Sequence, residues 1–264
     1  MVSLEWGITL PSDRRYTANI HNTGSLIPES KKILKLYDKL RDVEEVREVL
    51  YKENPLSRES EGAIDKILFI TRKRYLNDDP GPLIEVIKSD LNEQITNAIL
   101  FYHLAKTDNL VYDLTTELLY NLHEEGTLVV NKKDVEDFLK KKEEKHPEIS
   151  EWAITTRNKL IRHFLAAVKD FGLLEGSKRK KFSSYHLPSE SFFYIFYRKF
   201  YDDETISEIL SSKDWNLFFL DEEEIKAILN EGNRKRYIRF EESGNIRSVN
   251  PRFDSLEEYV NEIT

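Results

Sequence analysis

Lys178, Arg179, Lys180 and Lys181 stand side by side in "GLLEGSKRKKFSSYHL". Four adjacent cations can make charge-assisted hydrogen bonds to phosphate oxygens, and the neutralised phosphates would release counterions. The segment 151–186 holds eight Lys or Arg against three acids, a surplus of five, while the whole chain carries −8. The remainder is therefore at −13. A run of this kind is also what a solvated hairpin tip looks like, so its surroundings decide its meaning.

Those surroundings are a long helix, "EWAITTRNKLIRHFLAAVKDFG", which ends at Gly172, a natural left-handed stop. At about 100° per residue, Ile154, Leu160, Ile161, Phe164, Leu165, Val168 and Phe171 fall on one side. Thr155, Thr156, Lys159, Arg162 and His163 fall on the other, with no acid among them. Arg157 points nearer the apolar side but could reach out from the first turn. Such a face suits a DNA groove, because Lys and Arg pair with phosphate and with guanine edges. Upstream, "TLVV" is a short β-like run and "NKKDVEDFLKKKEEK" an amphipathic helix broken by Pro147. Downstream, "LLEG" and "FSSYHL" read as two short strands around the basic loop. Helix, turn, helix, hairpin is the order of a winged helix-turn-helix at 127–187.

A weaker basic cluster is Arg72, Lys73 and Arg74, with Lys66 one to two turns earlier. The helix "DVEEVREVLYKEN", capped by Asp42, the "NPLS" turn and a helix starting near Ser57 could form a second helix-turn-helix. Cations in a last helical turn are equally ordinary partners of the helix dipole.

The elements that must carry these groups are mostly helical. In the 264 residues, 33% are charged and 39% hydrophobic, with 14 Phe, 13 Tyr, 3 Trp and only 9 Gly and 8 Pro. That composition gives buried cores under solvated helical faces. Residues 1–13 read as irregular, followed by a turn at Asn22–Ser25 and a helix with Ile33, Leu34, Tyr37 and Leu40 inward. Ile64, Ile67, Leu68 and Tyr75 line the helix that follows "NPLS", with Phe69 and Ile70 widening its face. "NDDPGP" (Asn77–Pro82) breaks the chain before helices at 83–90, 92–106 and 109–124. After Pro188, helices at 190–201, 204–212 and 221–230 precede a hairpin (Tyr237–Phe240 and Asn245–Val249) around Ser243–Gly244 and a last helix, "SLEEYVNEI". These patterns predict a mainly α, multi-helical fold with winged helix-turn-helix elements and short β-hairpins. They divide it into an N-terminal helical domain (14–126), the winged element (127–187) and a C-terminal block (188–264). That block repeats the helices-then-hairpin order, but Glu241 and Glu242 make its hairpin tip acidic.

Enzymatic chemistry finds little support. With no Cys, disulfides, thiolate metal sites and Cys nucleophiles are excluded. The six His (21, 103, 123, 146, 163, 186) are scattered, without HExxH or metal spacing, and GxGxxG, GxxxxGK[ST] and GxSxG are missing. Asp78–Asp79 and Asp202–Asp203 sit in turn-like stretches that favour capping. Glu29-Ser30-Lys31 and Glu224-Ile225-Lys226 match a nuclease E-x-K but lie on predicted helices. No signal peptide is visible, and the most apolar run, "SFFYIFYRKF", is too short for a span and reads as a core helix. The expectation is a cytoplasmic, non-enzymatic protein without metal or cofactor. Double-stranded DNA is its expected partner; a protein-interaction scaffold or a transcription regulator is the alternative.

The chain resembles the BrxA family of BREX phage-defence systems. The likeness is carried by "YTANIHNTGSLIPESKKILKLYDKLRDVEEVREVLYKENPLSRES", by "TTRNKLIRHFLAAVKDFGLLEG", and by "DWNLFFLDEEEIKAIL" followed by a hairpin. It implies a small, mainly helical, non-enzymatic protein with helix-turn-helix elements that binds double-stranded DNA beside a methyltransferase, an ATPase and other defence components. Thr156, Lys159 and Gly172-Leu173-Leu174 match the family's middle pattern, and no catalytic residue transfers.

Overall fold

Capping sets most of the helix boundaries. In a computed structural model, residues 15–77, 79–243 and 246–264 are described, with backbone alone for 242, 243, 246 and 247. The expectations for 1–13, for Asp78 and for Gly244 and Asn245 at the second hairpin tip lie outside the described residues, as does position 14.

Helix α1 (Ile27–Leu40) carries Pro28 in its first turn, and α2 (Val43–Glu53) starts at Asp42, whose carboxylate accepts from the amides of Glu44 and Glu45. Helix α3 (Glu61–Tyr75) begins at Ser60, not near Ser57 as the sequence suggests. Ser57 takes φ 53°, and Asn54 ties the intervening loop down through the Arg58 amide. These three helices enclose a small core of Ile33, Val46, Leu50, Leu56, Ile64, Ile67 and Leu68. Phe69 does not join it and is 63% exposed.

Helix α4 (Gly81–Lys88) leads to α5 (Glu93–Thr107), which is buried on nearly every side and forms the axis of the main core. The predicted helix 109–124 is continuous but not uniform: α6 (Asn109–Asp113), a π-helical segment (Leu114–Leu119) and α7 (Tyr120–Glu124) follow without a break. The Thr115 and Thr116 hydroxyls donate to the carbonyls of Val111 and Tyr112 at 2.8 and 2.9 Å, and such back-bonding competes with the regular helical ladder.

Next come β1 (Val129–Val130), α8 (Lys132–Lys142), a 3-10 turn (Pro147–Ile149), α9 (Ile154–Asp170), β2 (Leu174–Glu175) and β3 (Lys180–Phe182). The strands form an antiparallel sheet in the order β1-β3-β2, pairing Val130 with Lys180 and Glu175 with Lys181. The second strand differs from the sequence expectation: it begins inside the basic run and ends at Phe182, so 183–187 is not strand.

The chain closes with α10 (Ser189–Tyr201), α11 (Ile206–Leu210), a 3-10 turn (Lys213–Phe218), α12 (Glu222–Arg234), a hairpin of β4 (Ile238–Ser243) and β5 (Ile246–Pro251), and α13 (Leu256–Ile263). Phe192 to Tyr197 are all buried, as expected of a core helix. The main hydrophobic core runs from Tyr16 through α5, α9 and α10 to Val260. Among the described residues no helix is long and apolar enough to cross a membrane. The fold is mainly helical with two small antiparallel sheets.

Candidate nucleic-acid interface

Helix α9 divides much as its periodicity predicts. Leu160, Ile161, Phe164, Leu165, Ala167 and Val168 are buried. Ile154 departs from the pattern: it is 73% exposed, because it starts the helix beyond the edge of the core. On the outer side Thr155, Lys159, Arg162 and Lys169 are exposed, spaced by three, four and seven residues around the half-buried Ala166. No acid interrupts this ridge. Asp170, on its flank, accepts from the Ser25 hydroxyl at 2.7 Å.

The first turn of α9 contains no acid, and its cap residue, Ala153, offers no side-chain acceptor. Its leading amides thus lack side-chain partners, the arrangement that favours an anion at a helix N-terminus. Arg157 is not part of the outer face. Its guanidinium donates to Glu143 at 2.6 Å and to the Ile149 carbonyl at 2.7 Å, which staples α9 to the end of α8. Thr156 is half-buried. So is His163, whose imidazole is pressed below its usual range by burial and by the nearby Arg162, His21 and Lys159.

His21 belongs to an N-terminal strap with a 3-10 turn (Asn19–Asn22) packed along α9. Tyr16 anchors this strap. Its ring stacks on His146 at 3.6 Å, its amide donates to Glu148 and its hydroxyl to Asp113.

The loop between β2 and β3 depends on Gly176. At φ 84° a Cβ there would stand 2.2 Å from the Arg179 carbonyl oxygen, so only glycine closes this turn. Lys178 and Arg179 are exposed at its tip. Lys180 and Lys181 belong to β3, and pleating sends them to opposite faces. Lys181 is exposed, whereas Lys180 is half-buried and donates to the Gly176 carbonyl at 2.9 Å. Burial and the neighbouring Lys169 push the Lys180 ammonium down, against a smaller opposing pull from Asp170. Among the described residues no carboxylate pairs with Lys159, Arg162, Lys178, Arg179 or Lys181, whereas Arg41, Arg47, Arg58 and Arg157 are each held by an acid.

Between α9, the loop and the start of α8 lies a groove of about 420 Å³ lined by Asn131, Lys132, Arg162, Lys178, Arg179 and Lys180. Sequence reasoning brought Arg162 and the basic run together but missed Asn131 and Lys132. Only the antiparallel pairing of β1 with β3 carries the start of α8 to this place. Lys169 was also missed, although its spacing from Arg162 put it on the ridge.

The second basic cluster is scattered. Lys66 and Arg72 are exposed on α3 and Lys73 is half-buried. Arg74 is buried and donates to the Ser25 carbonyl and the Thr23 hydroxyl at 3.1 and 3.0 Å, so it braces the strap and cannot meet a ligand. The two E-x-K triplets do not converge either. Glu29 pairs with Arg58 while Lys31 donates to Thr96, and Glu224 caps α12 with Asp221. Among the described residues no three His, Cys, Asp or Glu gather as metal ligands.

Residues 14–199 match the family model for BrxA. A search of curated proteins finds no match. Among solved structures, an uncharacterized protein from Magnetospirillum magneticum is similar with a TM-score of 0.63 at 20% identity, over 78% of this chain and 100% of that one. At that identity the likeness concerns the fold alone.

Proposed function

This chain belongs to the BrxA family, and from that premise we propose that it is a non-enzymatic, double-stranded-DNA-binding component of a BREX-type bacteriophage defence system. The binding module is a winged helix-turn-helix. The 109–124 helix, β1, α8, α9, β2 and β3 follow one another in the order of that motif, and β3 lies central in the sheet. In this arrangement α9 enters the major groove, about 12 Å wide, and the 176–179 loop tracks the backbone.

One observation carries the proposal: an acid-free, exposed ridge meets a loop of unpaired cations in a chain whose net charge is −8. Thr155, Lys159, Arg162, Lys178, Arg179 and Lys181 form the contact set, joined by Lys132 and Lys169. Arg157 and His163 position α9 and stay out of it. Lys66 and Arg72 on α3 offer a lesser second contact. A methyltransferase and an ATPase of the same defence system are the expected protein partners.

The test is a mobility shift over a salt series with wild type and with Lys178, Arg179, Lys180 and Lys181 all changed to Glu. Each phosphate contact adds about −0.9 to the slope of log affinity against log salt. The charge-reversed protein should lose both affinity and slope, and an unchanged low-salt affinity rejects the loop as a contact. A second use, as a protein-interaction scaffold, is favoured by Phe69, which stands 63% exposed on α3. Stable co-purification with a partner and no duplex shift at any salt would select it.

A further inference from the structure

The foot of the C-terminal hairpin gathers arginines. A shallow groove of about 510 Å³ is lined there by Arg236, Arg239, Arg252, Asn250, Phe253 and Glu262. Its three arginines come from three places in the chain. Arg236 ends α12 in a left-handed turn at φ 62°, fixed by the Tyr237 amide donating to the Gly232 carbonyl at 2.8 Å. Arg239 lies on β4 directly across from Asn250 on β5. Arg252 follows β5, and its amide donates to the Tyr197 hydroxyl at 2.9 Å, which pins this stretch to the aromatic core.

Arg239 is already engaged, with two nitrogens on Glu241 at 2.9 and 2.7 Å. Arg236 and Arg252 are exposed and pair with no carboxylate among the described residues. Two planar guanidiniums with free donors, carried on anchored backbone around one concavity beside the Asn250 amide, which also donates to the Ser248 hydroxyl at 3.1 Å, suit the tetrahedral oxyanion of a phosphodiester.

We infer that this groove is a second phosphodiester-binding site, formed by Arg236 and Arg252 with Asn250, through which the C-terminal block grips nucleic-acid backbone independently of the α9 ridge. The inference rests on duplex binding by the chain, and its test separates the two. Binding of a labelled duplex is measured by anisotropy across a salt series for wild type, R236A/R252A, the loop variant K178A/R179A, and E262Q. Circular dichroism checks that each is folded.

R236A/R252A should lower the salt slope by about 1.8, two contacts at about 0.9 each, with the loop intact. E262Q removes the acid lining the groove and should bind about two- to fivefold tighter, a gain that misfolding cannot mimic. If R236A/R252A and E262Q both match wild type while K178A/R179A weakens, this site is overturned and duplex binding stands. If R236A/R252A does not fold, E262Q decides: tighter binding supports the site and no change overturns it. If wild type binds no duplex, the function proposed above fails and this site with it.

Discussion

The middle element (127–187) and the C-terminal block (188–264) share an order, helices and then an antiparallel hairpin, and use it in opposite ways. In the middle element the exposed cations of α9 and the loop form no ion pair among the described residues, although Asp170 adjoins Lys169 and Glu175 lies across from Lys181, and their local surplus is turned to solvent. In the C-terminal block, apart from the arginine groove at the foot of its hairpin, the best-connected charges are drawn inward. Lys199 and Asp214 are 4% and 2% exposed and pair at 2.9 Å, with Glu204 on Lys199 and with Lys106 and Tyr112 on Asp214. Burial works against the Asp214 carboxylate, but Lys106 and Lys199 bring its pKa below the usual range all the same. Around this network Phe192 stacks on Trp215 at 4.2 Å and Tyr197 on Tyr259 at 5.0 Å. A shared order of elements therefore does not fix a shared role. Whether charges find partners within the fold decides whether a region can offer them to a ligand.

The contrast breaks most visibly at Asp214. D214A leaves Lys199 with the more exposed Glu204 alone and takes the shared acceptor from Lys106 and Tyr112, which should cost about 3 kcal/mol, read as a fall in the urea midpoint. An unchanged midpoint would mean that the network is not the brace described. G232A comes next, since its Cβ would meet the Phe193 ring at 2.1 Å; overpacking there should cost about 1–3 kcal/mol by the same measurement.

His103 adds a pH dependence to the inner region. Burial, with a smaller push from Arg198, lowers its pKa to about 3, and it shares a hydrogen bond with Tyr194. The unfolded chain therefore binds the proton more readily. Stability is fully present above the unfolded value of about 6.5 and is lost as pH falls toward about 3, by about 1.4 kcal/mol per unit. H103Q should flatten that part of a urea-midpoint series in mild acid.

The smallest effect on stability and the sharpest on the middle element is G176A. It keeps every charge, yet the left-handed turn and the Arg179 carbonyl forbid the loop's present path. Global stability should change by about 1–2 kcal/mol, the penalty of a strained left-handed residue, while duplex affinity falls. Equal duplex affinity would show that charge alone matters and loop shape does not.

Much of this was legible along the chain. Asp42, Gly172 and the aromatic run 191–200 announce a cap, a stop and a core helix through local chemistry. The periodicity of α9 separates buried from exposed residues with Ile154 as the main exception. Where local signals failed, a distant partner was responsible. Ser57 yields the start of α3 to Ser60 because Asn54 ties down the intervening loop. Phe69 sits on a predicted apolar face but stays 63% exposed. Arg74 and Arg157 look like any other surface cation until the strap and Glu143 are seen beside them.

What the sequence determined by itself was the mainly helical class, the +5 surplus of the middle segment and the identity of the ridge on α9. These depend on residue types and on spacings of three and four, which one helix satisfies within itself. Which cations stay free was decided only by the tertiary structure. An ion pair or a hydrogen bond needs its two partners within about 4 Å, and residues 14 apart, such as Arg157 and the Glu143 carboxylate, or 49 apart, such as Arg74 and the Ser25 carbonyl, meet only after packing of the core has fixed where their backbones lie.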